Sequence, residues 1–163
     1  MARPEKIRLG DMLIQQGLLT QQQLTDALSE QKATGRKLGR IIVDSGVVTE
    51  DAISKALARQ LQAQFVDLKS FNPKPDLVRL LPEAQARRFR ALVLDEKDGK
   101  LTVGFADPTD LMVFDEVARA VRRDIDLAVV TESHLLAAID RLYRRTEEIS
   151  ALSKELTQDL GDM

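Results

Sequence analysis

Apolar positions in the first third of the chain recur in a pattern that is written twice. Leu9, Met12 and Leu13 fall at i, i+3 and i+4, the spacing of one helical face, and Leu38, Ile41 and Ile42 repeat it. A glycine follows each set, Gly17 and Gly46, where a left-handed residue can end a helix without a Cβ penalty. Two apolar residues come next, then Thr20 or Thr49, each suited to cap a second helix. Gln23 completes a capping box after Thr20, and Glu50 and Asp51 favour the positive end of the second copy. In the second helices Leu24, Leu28 and Gln31, like Ile53, Leu57 and Gln60, lie on one stripe at i, i+4 and i+7. Residues 8–31 and 37–60 therefore align without a gap as two 24-residue helical hairpins, five residues apart. Two copies are too few for a solenoid of about three repeats, so the expectation is a single four-helix unit.

Beyond Gln64 the period changes. Residues 65–68 (FVDL) suit a short strand, Pro73 and Pro75 mark a connection with little regular structure, and the expected boundary follows Gln64. Residues 76–81 and 83–89 read as short helices, and 90–107 as two strands around an Asp98-Gly99 turn. A helix over 110–123, a strand over 126–131 and a helix over 132–143 follow. The fold class expected is α+β: a tandem-repeat helical domain (1–64), a small α+β domain with a β-hairpin (65–145), and an acidic linker or truncated end (146–163).

Composition narrows the chemistry. The 163 residues carry 24 Lys and Arg against 26 Asp and Glu, a formal charge of -2, which excludes a uniformly basic nucleic-acid coat. Aromatic residues make up 4% and none precedes Phe65, so base stacking on the repeats is disfavoured, and neither DNA nor RNA is an expected partner. Cysteine is absent, which removes disulfides, thiolate metal sites and a cysteine nucleophile and fits a cytoplasmic setting. No apolar run approaches the ~18 residues of a membrane span. Phosphate-cradling GxxxxGK[ST] and GxGxxG, the nucleophile motif GxSxG and the zinc motif HExxH are all missing. The single histidine, His134, is expected in a solvated or capping role. No catalytic residue, metal site or cofactor is expected, and the chain is read as no enzyme.

What remains is a duplicated helical surface with Lys6, Arg8, Lys32, Arg36, Lys37 and Arg40 near its entrance. Arginine forks match guanine edges and phosphate oxygens, and aliphatic side chains pack on purine faces. The residue types alone leave two readings open, docking of a protein and binding of an anionic small ligand.

The arrangement RLGxxLxxxGLLTxxxLxxxLxxQ, five residues, then KLGxxIxxxGVVTxxxIxxxLxxQ, resembles the MshEN domain, the N-terminal domain of type IV pilus assembly and type II secretion ATPases. The resemblance spans roughly residues 6–145. It implies binding of cyclic di-GMP, a two-fold symmetric dinucleotide, along the paired motifs. Carried onto this chain, it implies that Arg8 contacts guanine or phosphate, that Leu9 and Gly10 let the ligand approach the backbone, and that Leu24, Leu28 and Gln31 complete that half. In the second copy Leu38, Gly39, Ile53 and Leu57 take the matching places. Lys37 stands where Arg8 leads the first motif, without the bidentate fork of arginine, and Arg40 stands where some members are acidic. From the second domain the resemblance implies Arg87 and Asp107, the latter accepting from guanine N–H groups. The partners implied are cyclic di-GMP, a downstream ATPase domain of the same protein and an inner-membrane platform protein that would recruit it to the inner-membrane face. The alternative is a docking module that joins the ATPase to that platform and binds no nucleotide.

Overall fold

A computed structural model of the chain describes residues 8–144. Its first four helices are α1 (Leu9–Gln15), α2 (Gln21–Thr34), α3 (Leu38–Asp44) and α4 (Glu50–Leu61). Gly17 and Gly46 turn the chain after α1 and α3 with φ of +75° and +81°, a region that L side chains rarely adopt. Thr20 Oγ1 accepts from the Gln23 amide while Gln23 Oε1 accepts from the Thr20 amide, and Thr49 Oγ1 accepts from the Ala52 amide. Met12, Leu13, Leu24, Ile41, Ile42, Ile53 and Ala56 meet in one apolar cluster. Helix α1 packs on α3 and α4, and α2 on α3, so each hairpin buries its apolar stripe against the other.

The second half is a four-stranded sheet with helices around it, making the whole fold α+β. Its elements are β1 (Gln64–Phe65), α5 (Pro75–Val78), α6 (Glu83–Phe89), β2 (Ala91–Lys97), β3 (Lys100–Phe105), α7 (Leu111–Val121) and β4 (Ile125–Val129). A last helix, α8, is described over 132–144. The sheet order is β1-β4-β3-β2, with β2 and β3 antiparallel and β4 parallel to both β3 and β1. Asp98 and Gly99, at φ of +53° and +79°, close the β2–β3 hairpin, since two consecutive left-handed residues match the twist of the strands. The parallel β3–β4 pair needs a crossover, which α7 supplies.

One expectation shifts. The strand expected over 65–68 is only Gln64–Phe65, because Asp67 turns the chain: its Oδ1 accepts from the Lys69 amide and its carbonyl from those of Ser70 and Phe71. Pro73 and Pro75 lie within the sheet unit. Leu61, Val66 and Leu68 already belong to the apolar cluster of the sheet, β1 already pairs with β4, and Pro73 is buried; the passage between clusters falls at the end of α4. Residues 146–163, read as a linker or truncated end, lie outside the described residues.

Tyr143 of α8 fastens this unit, its hydroxyl lying 2.6 Å from the Leu81 carbonyl and 3.2 Å from that of Val78. Burial raises its pKa above the ordinary phenol value, the negative charge of Glu83 adds to the rise, and Arg87 opposes it. A raised phenol pKa means that the folded state holds the proton more firmly than the unfolded chain. This contribution is fully present below the unfolded value of about 10 and is lost as pH climbs toward the folded one. As the chain has one tyrosine and no tryptophan, phenolate absorbance reports this residue alone. Its ionisation should coincide with alkaline unfolding rather than precede it, and Tyr143→Phe should flatten the decline in stability above pH ~10.

Candidate functional site

A cleft of about 380 Å³ opens where the helical unit meets the sheet unit. Leu9, Leu38, Val43, Ile53 and Leu57 give it an aliphatic wall, which Gly39 leaves low. Gln31, Lys37 and Arg40 stand on the helical side, with Ala106, Asp107, Thr109 and Glu132 opposite.

Local hydrogen bonds set these positions. Asp107 Oδ1 accepts from the Thr109 amide at 3.0 Å and from the Thr109 hydroxyl at 2.6 Å, a tight Asx turn around buried Pro108. The first turn of α4 docks on the start of α8: Glu50 accepts from the Ser133 amide at 3.0 Å and its hydroxyl at 2.9 Å, and the buried Thr131 hydroxyl donates to Asp51 at 2.8 Å. That docking carries Glu132 into the cleft. There its carboxylate lies 3.8 Å from Nη2 of Arg40 and 3.4 Å from Nε of Arg90.

Eight of the residues named from sequence line this space: Leu9, Gln31, Leu38, Gly39, Arg40, Ile53, Leu57 and Asp107. The other five stand elsewhere. Arg8 is the exposed residue that precedes α1, its carbonyl accepting from the Met12 amide. Gly10 and Leu24 are buried against each other inside the helical core, and Leu28 is 44% exposed on α2. Arg87 on α6 pairs with Asp140 at 2.5 Å and Glu83 at 3.1 Å, and these bonds, Asp140 first, raise its pKa. Neither Gly10 nor Arg87 therefore faces the cleft.

Sequence reasoning passed over Glu50, Ser54 and Glu132. Glu50 carried a signal only as a helix-start charge; Glu132 carried none, because its place depends on packing between distant segments. His134, expected to be solvated or capping, is mostly enclosed where α8 starts against α4. Its Nδ1 is buried without a hydrogen-bond partner, 3.8 Å from Asp51 and 4.0 Å from Asp67. Among the described residues no three His, Cys, Asp or Glu group into a metal site, and no helix is long and apolar enough to cross a membrane.

Comparison with known proteins extends these observations. The chain is 27% identical over 155 residues to the type IV pilus assembly ATPase PilB of Myxococcus xanthus, covering 95% of this chain and 27% of that protein. It is 29% identical over 193 residues to PilB of Thermus thermophilus, covering 96% and 22%. The chain thus spans about a quarter of the length of these relatives. Among solved structures it is similar to MshE with cdg, at 34% identity and a TM-score of 0.75 over 85% of this chain and 100% of that one. It is also similar to the N-terminal domain of XpsE, at 25% identity and a TM-score of 0.66 over 82% and 92%. A sequence model of the MshEN domain matches residues 61–149, the sheet unit, while the PilB and MshE matches cover too much of the chain to omit the helical one.

Proposed function

The chain belongs to the MshEN domain family, and from that premise we propose that it is a cyclic di-GMP-binding regulatory domain of a type IV pilus assembly or type II secretion ATPase. The observation that carries this reading is the cleft itself. One space of about 380 Å³ gathers an aliphatic wall drawn from both hairpins, the cations Lys37 and Arg40, and the carboxylate of Asp107 from the sheet unit. Those are the chemistries that a purine dinucleotide with two phosphates needs. The similarity to MshE, solved with cdg, which we read as cyclic di-GMP, supports the same ligand.

In this reading aliphatic side chains hold the guanine faces. The oxygen of Asp107 not engaged by Thr109 accepts from a guanine edge, and Arg8, exposed beside cleft-lining Leu9, reaches in from the rim. A ligand that touches both units stabilises one relative arrangement of them, by no more than its difference in affinity for the alternatives. The downstream ATPase domain would sense that arrangement on the cytoplasmic side, and a platform protein would recruit it to the inner-membrane face. The domain acts by binding and carries out no chemistry.

Calorimetric titration of the chain with cyclic di-GMP tests this, with cyclic di-AMP and GTP as controls. Saturable one-to-one binding selective for guanine is expected, with a thermal shift at ligand excess and no ATP turnover by the pure protein. Absence of both heat and thermal shift would hand the cleft to the docking reading, and measurable ATP hydrolysis would overturn the non-catalytic assignment.

A further inference from the structure

Two arginines from different units converge on one carboxylate. Arg40 comes from α3 of the helical unit and Arg90 from the turn between α6 and β2, while Glu132 opens α8 and lines the cleft. Arg40 Nη2 lies 3.8 Å from Glu132 Oε2, and Arg90 Nε lies 3.4 Å from Oε1. Both distances exceed the 2.7–2.9 Å of a good charge-assisted hydrogen bond. The three side chains are 38–46% exposed, so the pairs are solvent-screened and weakly held. Neighbouring carboxylates have other work, Glu50 on Ser133 and Asp107 on Thr109.

Arg90 is the left-handed residue that ends α6. Its φ of +51° is uncommon for a residue with a side chain, and its carbonyl accepts from the Ala106 amide at 3.1 Å, beside Asp107 on the cleft wall. The Arg90 guanidinium and that of Arg40 on α3 form a seat for an anion larger and more highly hydrogen-bonding than a carboxylate. We infer that Arg40 and Arg90 form a phosphate subsite that straddles the two units, and that Glu132 competes with the phosphate for it. The inference rests on the reading of the cleft as a cyclic dinucleotide site. The phosphate competes with a carboxylate of the chain itself, so Glu132 sets how tightly the ligand binds.

The test is a titration of the full chain and its variants with cyclic di-GMP. Arg40→Ala and Arg90→Gly should each weaken binding about ten-fold or more, as loss of a charge-assisted hydrogen bond does. Glycine is chosen at position 90 because it suits the positive φ and keeps the fold. Arg122→Gly, the same exchange at another left-handed position outside the cleft (φ +58°), should leave affinity unchanged. Glu132→Gln keeps the shape and removes the competing charge, so it should tighten binding about two- to five-fold, the scale of an exposed ion pair. Unchanged affinity in both arginine variants, or weaker binding by Glu132→Gln, overturns the subsite while the cyclic di-GMP site stands. No binding by the parent chain overturns the reading of the cleft and the subsite with it.

Discussion

Replacing Gly104 by valine is expected to remove about 3 kcal/mol of stability, on the order of 10 °C in Tm for a chain of this length. Gly104 sits in β3 between Leu92 of β2 and Ala128 of β4. A Cβ there would lie 2.8 Å from Val130 Cγ1 and 2.9 Å from Leu94 Cδ1. Both neighbours are buried, at 0% and 2% exposure, and a β-branched valine has little rotamer freedom to retreat. The gain in strand propensity, at most about 1 kcal/mol, does not offset overpacking on two sides. Denaturant and thermal melts of Gly104→Val and Gly104→Ala measure the effect, with alanine intermediate. A loss below about 1 kcal/mol for valine would mean that Leu94 and Val130 yield without strain, and that the glycine is not what lets this part of the core close.

The helical half was legible because its signals are local. Gly17 and Gly46 need a left-handed backbone, and Thr20 and Thr49 cap the helices that follow, so spacing alone located four helices. Asp98-Gly99 did the same for the hairpin. What was not legible is set at long range. The sheet order puts β1 beside β4, a pairing between residues 64 and 128 that no short window contains. The early end of β1 turned on one side-chain oxygen of Asp67, a residue that also passes for a strand position.

The site divides in the same way. Leu9, Gln31, Leu38, Gly39, Ile53 and Leu57 could be named because the repeat itself marks them, and the structure gathers them in one cleft. Glu132 could not, since it enters only when Glu50 and Asp51 of α4 dock on Ser133 and Thr131. Arg87 was named from the family resemblance, yet here Glu83 and Asp140 hold its guanidinium. A resemblance carries over residue types; it does not specify which partner a long side chain finds.

The two repeat glycines make the sharpest contrast, and exchanging them should separate stability from binding. They occupy equivalent positions in the pattern, but a Cβ on Gly10 would fall within the Leu24 side chain, 3.2 Å from its Cγ, whereas one on Gly39 would meet only Leu9 Cδ2 at an ordinary 3.4 Å. Gly10→Ala must therefore displace the buried Leu24 side chain, and about 1–3 kcal/mol of stability should be lost. Gly39→Ala should be neutral or slightly stabilising, because a helical alanine is favoured over glycine by up to about 1 kcal/mol. Gly39→Leu should also stay folded, since position 39 faces the cleft rather than the core. Its side chain would take the space proposed for the ligand, and cyclic di-GMP affinity should fall on the order of a hundred-fold, the equivalent of about 3 kcal/mol of lost contact. Melting curves and titrations of the three variants give both axes. Full affinity in a folded Gly39→Leu protein would move the ligand out of this cleft, whereas lost affinity at undiminished Tm would place it against the second repeat.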